Sequence, residues 1–168
     1  MNKKFIIAFL IPFFSYSQED TKSASKYPSQ IGDIEFDNTI DKENFELCSK
    51  HIYQYFNNSG GLEYEGEKLA IEKEFLAKYK SEYLKKESGL IRIQFVVNCK
   101  GETDRFRLLS MDENYKEKLF PKSITDQLLK ITKNLKGWKP KKIEGREIDF
   151  YQYLIFKIEN AQLKEILP

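Results

Sequence analysis

The chain has 168 residues, of which 40% are hydrophobic, 14% aromatic and 32% charged. That suits one globular domain with short appendages and a well-solvated surface. Its 28 basic residues face 26 acidic ones, which excludes a general nucleic-acid binder, because such proteins carry a clear excess of Lys and Arg.

The opening stretch, MNKKFIIAFLIPFFSYSQ, places Lys3 and Lys4 before an apolar run from Phe5 to Phe14. Ser15 and Ser17 supply the small residues a signal peptidase requires. Residues 1–17 therefore read as a secretory signal, cleaved before Gln18. The run is too short to cross about 30 Å of hydrocarbon as a helix. Pro12 interrupts it, and no cysteine follows for lipid attachment. No later stretch is long and apolar enough to span a bilayer, so no transmembrane segment is expected after cleavage. The expected location is periplasmic or secreted. Losing Lys3 and Lys4 from the 28 basic residues brings the chain to formal neutrality against 26 acidic ones.

Residues 18–43 are polar, acid-rich and weakly periodic. They read as a flexible lead-in, with a short strand at Ile34–Phe36. The domain proper is expected over residues 44–168. It opens with Asn44–Phe56, where Phe45, Cys48, Ile52, Tyr55 and Phe56 fit one face of a short helix. The Asn57–Gly61 stretch, NNSGG, then breaks the chain. A better helix is predicted over Glu65–Lys86, with Ile71, Phe75 and Tyr79 at four-residue steps.

Leu90–Val97 reads as a strand with Ile91, Ile93, Phe95 and Val97 on one face and Arg92 and Gln94 on the other. The turn Asn98–Gly101 leads into the alternating stretch Asp104–Ser110, which completes a hairpin. Ser123–Gly137 reads as a helix capped by Ser123 and Asp126 and stopped by Gly137, with Ile124, Leu128, Ile131 and Leu135 as its apolar stripe. The last main strand is Glu147–Ile158, with Ile148, Phe150, Leu154 and Phe156 on one face and Tyr151, Tyr153 and Ile155 on the other. The tail after it adds a short further strand or a turn. This order predicts an α+β fold: an antiparallel sheet of about three strands with two helices packed on one face.

Two cysteines follow the signal, Cys48 and Cys99. Export and an even count favour a disulfide, and two separate buried thiols are the alternative. A bridge would close a loop of 51 residues, a constraint valued at about 4 kcal/mol in the chain-entropy model.

From Gly89 onward the chain resembles the C-terminal domain of the TonB family. The strand Gly89–Gly101, the strand RFRLLS and the helix Ser123–Lys136 carry the resemblance, followed by Trp138, Lys139 and Pro140, then Gly145 and the closing strand through Phe156. In overall character the chain is also similar to small secreted proteins of Bacteroidetes. The family resemblance implies a domain that pairs an exposed strand with an extended segment of a partner. TonB transducers add a membrane anchor and a Pro-rich spacer. Here the lead-in holds only Pro28 as a spacer proline.

Signs of chemistry are sparse. His51 is the single histidine, and no Gly-x-Ser-x-Gly elbow, Cys-x-x-Cys pair or phosphate-binding glycine loop occurs. Carboxylate pairs such as Glu72 with Glu74 and Asp112 with Glu113 read as solvated surface. Nine lysines between Lys116 and Lys142, against Glu117 and Asp126, read as a solubilising face. The expectation is a non-enzymatic exported envelope protein without metal or cofactor. It would bind a protein partner, such as an outer-membrane or envelope protein, by strand addition, with the link to TonB-type transport that the resemblance implies. Tyr151, Tyr153 and Ile155 on the last strand are the expected contact side chains. Trp138, Pro140, Gly101 and Gly145 are expected to be structural; a Trp can bury about 150–250 Å². The alternative is a small secreted structural or inhibitory domain that acts through loops.

Overall fold

A computed structural model describes residues 33–54, 62–81 and 87–167. The proposed signal, the first part of the lead-in, the NNSGG stretch, Tyr55 and Phe56 lie outside the described residues. The elements in chain order are β1 (Ile52–Tyr53), α1 (Glu67–Lys78), β2 (Gly89–Val97), β3 (Thr103–Met111), α2 (Lys122–Lys133), β4 (Lys141–Ile143), β5 (Arg146–Glu159) and β6 (Gln162–Leu167).

The fold is α+β, as the periodicities predict. β2 is rich in β-branched and aromatic residues and pairs on both edges. It lies antiparallel to β3, with Ile93 opposite Leu108, and antiparallel to β5 from Gly89–Ile158 to Val97–Phe150. These three strands are the expected ones. The sheet is larger than expected, with six strands and mixed direction, because three short segments add to β5. β1 joins it in parallel at Asp149 and Phe150, β4 pairs with Arg146–Ile148, and β6 pairs with Ile155–Glu159. The β4–β5 and β5–β6 turns use left-handed pairs, Glu144–Gly145 and Asn160–Ala161, which match the right-handed twist of paired strands.

One face of the sheet forms the main core. Ile91, Ile93 and Phe95 of β2, and Phe150, Leu154 and Phe156 of β5, pack with Ile71 and Phe75 of α1 and with Ile124, Leu128 and Ile131 of α2. Each such side chain contributes about 1.5–3 kcal/mol on burial. Both helices therefore cover the same face. The opposite face carries a small second cluster of Ile34, Val96 and Tyr151.

Several local expectations are corrected. Within Asn44–Gln54 there is no helix: the chain turns, then enters the sheet as β1. A short helix nucleates poorly on its own, and here the N–H groups of Cys48 and Ser49 are claimed by Asp149. Ile34–Phe36 forms no ladder; the Ile34 N–H bonds the Tyr151 hydroxyl instead. Ser123 does not cap α2. The helix begins at Lys122 after Pro121, whose carbonyl accepts the N–H groups of Ile124 and Thr125. Gly137 is not its stop either, since α2 ends at Lys133, with Asn134 as its C-cap. The missing side chain at Gly137 makes room for the Tyr64 ring, which an added Cβ would approach to 2.8 Å.

Candidate functional site

Three features lie on the sheet outside the main core: a staple at one end, a strap across the second face, and a bare stretch of rim.

Cys48 and Cys99 form a disulfide with a Cα separation of 6.0 Å. Beside it sits Asp149, wholly buried. Its Oδ2 accepts the N–H groups of Cys48 at 2.7 Å and Ser49 at 2.8 Å, and its Oδ1 accepts that of Cys99 at 2.9 Å. Thus β5 holds both arms of the staple through the Asp149 carboxylate. The two sulfurs and an Asp149 oxygen lie within 4.8 Å of one another, a grouping of metal-ligating atom types. The sulfurs are bonded to each other and both carboxylate oxygens already have donors, so the arrangement is that of a structural knot. Asp149 was not singled out in the sequence, where it is one acid in an aromatic strand. An acid at a position where its neighbours face inward was the available signal.

The strap runs from Asp33 to Lys42 across the second face. Ile34 rests on Val96 and Tyr151. Arg107 of β3 donates from Nη2 to the Glu35 carbonyl at 2.6 Å and pairs with Asp41, and the Lys42 N–H donates to Asp104 at 2.8 Å. The lead-in from Asp33 onward is therefore part of the domain's packing. The Arg107 guanidinium beside Asp41 holds its carboxyl below the usual carboxylate range, and Asp41 in turn raises the guanidinium's affinity for its proton.

The expected contact residues lie on this same face but differ in access. Tyr151 is buried under Ile34 and does not present its ring to a partner. Tyr153 is half-buried, with the Arg92 guanidinium 4.6 Å above its ring centre. Ile155 is half-buried opposite Leu167 of β6. Nor is β5 a bare rim. β2 takes one edge, while β1 and β6 take the other at 149–150 and 155–159, leaving only residues 151–154 between them. Within that gap the Gln152 amide donates to the Tyr153 carbonyl.

The exposed rim belongs to β3, last in the sheet order. Its final residues are covered: the Ser110 carbonyl accepts the Lys118 N–H at 3.1 Å and Met111 bridges to Glu117. Since Ser110 turns its carbonyl away from β2, alternation turns the Leu108 N–H and C=O the same way. Among the described residues those two groups have no hydrogen-bond partner. Leu109 beside them is 40% exposed. Upstream, Arg105 at φ 57° and Phe106 together oppose Phe95, a bulge that ends the regular rim.

The structural residues are placed as follows. Trp138 is buried and meets Tyr64 and Phe95 edge-on, at centroid distances of 4.9 and 5.1 Å. Burial pushes the Tyr64 phenol up. Gly101, at φ 76°, passes so close to the Trp138 carbonyl that a Cβ would lie 2.4 Å from its oxygen. Pro140 borders the same contact. Gly145 is the second residue of the β4–β5 turn.

Among the described residues, no helix is long and apolar enough to cross a membrane. No protein family matches the chain, and no curated protein and no solved structure is found similar to it.

Proposed function

We propose that this is a non-enzymatic exported protein of the periplasm or extracellular space, which binds an extended segment of an envelope protein by strand addition. The mode is the one its resemblance to TonB C-terminal domains implies, and a link to TonB-type transport follows from the same resemblance. The Cys48–Cys99 disulfide supports an oxidising compartment. The observation that carries the reading is the outward N–H and C=O of Leu108 on the rim of β3. A main-chain segment from a partner satisfies both groups, and neighbouring side chains such as Leu109 then select among partners. The site thus moves from β5, where the aromatic content drew it, to β3.

The test replaces Leu108 by Pro. Proline deletes the outward N–H, a group that takes no part in the β2 ladder, and edge strands tolerate it there. A photo-crosslinking residue at position 109 is expected to capture an envelope protein in intact cells. Leu108→Pro should abolish that adduct; because the Leu108 side chain packs against the main core, Leu108→Ala, which loses the same packing but keeps the N–H, should retain the adduct at a similarly lowered melting temperature. An adduct that survives Leu108→Pro, or capture only from a probe at Glu144 in the β4–β5 turn, would replace strand addition by a loop-based role.

A further inference from the structure

The knot at Asp149 holds both cysteine arms without relying on the bond between their sulfurs. The carboxylate takes the N–H groups of Cys48, Ser49 and Cys99. β1 fastens the first arm to β5 at Asp149 and Phe150, and β2 runs up to Val97, opposite Phe150, just before the second arm. The arms are also tied to each other. The buried Asn98 donates from Nδ2 to the Glu46 carbonyl at 3.0 Å, and Lys100 pairs with the Glu46 carboxylate at 2.7 Å. Opening the disulfide therefore leaves two thiols held beside the same carboxylate.

The two sulfurs and an Asp149 oxygen lie within 4.8 Å of one another. A zinc ion, at about 2.3 Å from sulfur and about 2.0–2.2 Å from oxygen, spans a set of that size. Two thiolates and a carboxylate this close repel one another, and a divalent cation relieves the repulsion. Thiolates select soft or borderline metals, and the carboxylate beside them favours zinc over copper(I). Among the described residues Asp149 Oδ1 accepts a single N–H, that of Cys99, which leaves it a lone pair for a metal. The N–H groups around the carboxylate fix its orientation, as outer partners do in metal sites. Cys48 is exposed, which provides an entry path and a fourth position for water.

We propose that Cys48, Cys99 and Asp149 form a Zn²⁺ site in the reduced protein, so that the staple closes either by a disulfide or by a metal. A dithiol reductant opens the bridge. Its thiolate attacks one sulfur, the S–S bond breaks, and its second thiol then releases the protein by closing the reductant's own disulfide. Two electrons and two protons pass to the cysteines, which become thiols. Zn²⁺ displaces one proton from each thiol and takes the carboxylate oxygen as its third protein ligand. The two closures exclude each other, because sulfurs bonded together have no thiolate to offer.

Metal titration of the protein purified after export tests this, in the oxidised form and after phosphine reduction without oxygen. Zn²⁺ should raise the melting temperature of the reduced protein toward that of the oxidised one, and leave the oxidised one unchanged. Co²⁺ should give a sulfur-to-cobalt charge-transfer absorption in the reduced protein alone, which zinc then bleaches. X-ray absorption of the zinc-loaded protein should show two sulfur ligands at about 2.3 Å, with oxygen or nitrogen completing the shell. Asp149→Asn should raise the cobalt dissociation constant at least about tenfold, measured where circular dichroism shows the reduced variant folded. The double variant Cys48→Ser/Cys99→Ser lacks the bridge just as the reduced wild type does, so its loss of both signals reports the metal and not the missing bond. Absence of the charge-transfer band in the reduced wild type would overturn the proposal. So would a zinc-induced shift shared with the oxidised form or the double variant, four sulfurs around the zinc, or undiminished binding by a folded Asp149→Asn.

Discussion

Arg107 and Asp41 meet through two parallel hydrogen bonds, Nη1 to Oδ1 at 2.8 Å and Nη2 to Oδ2 at 2.7 Å. The Asp41 side chain is 1% exposed and that of Arg107 26% exposed. This fork fastens the strap to a strand 66 positions later and so shields the Val96–Tyr151 pair. Planar two-point pairing of this kind is stronger than a neutral bond, and its partial burial limits screening.

Asp41→Asn should lower stability by about 1–3 kcal/mol, read as a reduced urea midpoint at unchanged slope. The pH dependence has a definite sign. The Arg107 hydrogen bonds hold the Asp41 carboxyl below its usual range in the fold, so its stabilisation is fully present above the unfolded value of about 3.9. It declines as pH falls below that and is lost once pH passes the lower folded value. The gap between wild type and Asp41→Asn should thus be constant from pH 7 to about 5 and shrink below about pH 4.

Asp149→Ala should cost about 2–4 kcal/mol, because three main-chain N–H groups lose their acceptor inside the fold. Faster hydrogen exchange at the amides of Cys48, Ser49 and Cys99, with β2 amides slowed as before relative to global unfolding, is the expected signature. Equal acceleration across the whole chain would show a global effect in place of a local knot.

Trp138→Ala should cost about 3–5 kcal/mol through the cavity it leaves. Trp138→Phe should cost clearly less. The indole Nε1 is buried with no hydrogen-bond partner among the described residues, so phenylalanine removes an unsatisfied donor while keeping most of the ring contact with Tyr64 and Phe95. Thermal unfolding of the two variants side by side gives the comparison.

Gly145→Ala and Gly101→Ala separate backbone conformation from space. Both glycines are left-handed, at φ 79° and 76°, which costs an L-residue about 1–2 kcal/mol. Nothing lies within 4 Å of a Cβ at position 145, whereas at position 101 it would meet the Trp138 carbonyl oxygen at 2.4 Å. Gly101→Ala should therefore lower the melting temperature by a clear margin more than Gly145→Ala.

The secondary structure that repeats locally was legible in the residues. β2, β3 and β5 announce themselves by alternation, and α1 and α2 by apolar stripes, because both periodicities are set by backbone geometry within a few residues. The face of β5 that carries Tyr151, Tyr153 and Ile155 was legible for the same reason. The expected helix Asn44–Phe56 was misread over its described part, residues 44–54, because the conformation there is imposed from outside. Its amides bond Asp149, about a hundred positions away, and its apolar spacing happens to imitate a helix. β1 and β4, two and three residues long, are too short to show any period.

By itself the sequence determined the α+β class and the main core residues of each element, since burial patterning and composition act residue by residue, while it favoured a Cys48–Cys99 bridge without deciding it against two separate thiols. Only the tertiary structure decided which strand is the rim. Strand order depends on pairings between segments far apart in the chain, and those pairings place β5 inside the sheet, bury Tyr151 under Ile34 and leave the main-chain groups of Leu108 on β3 facing outward.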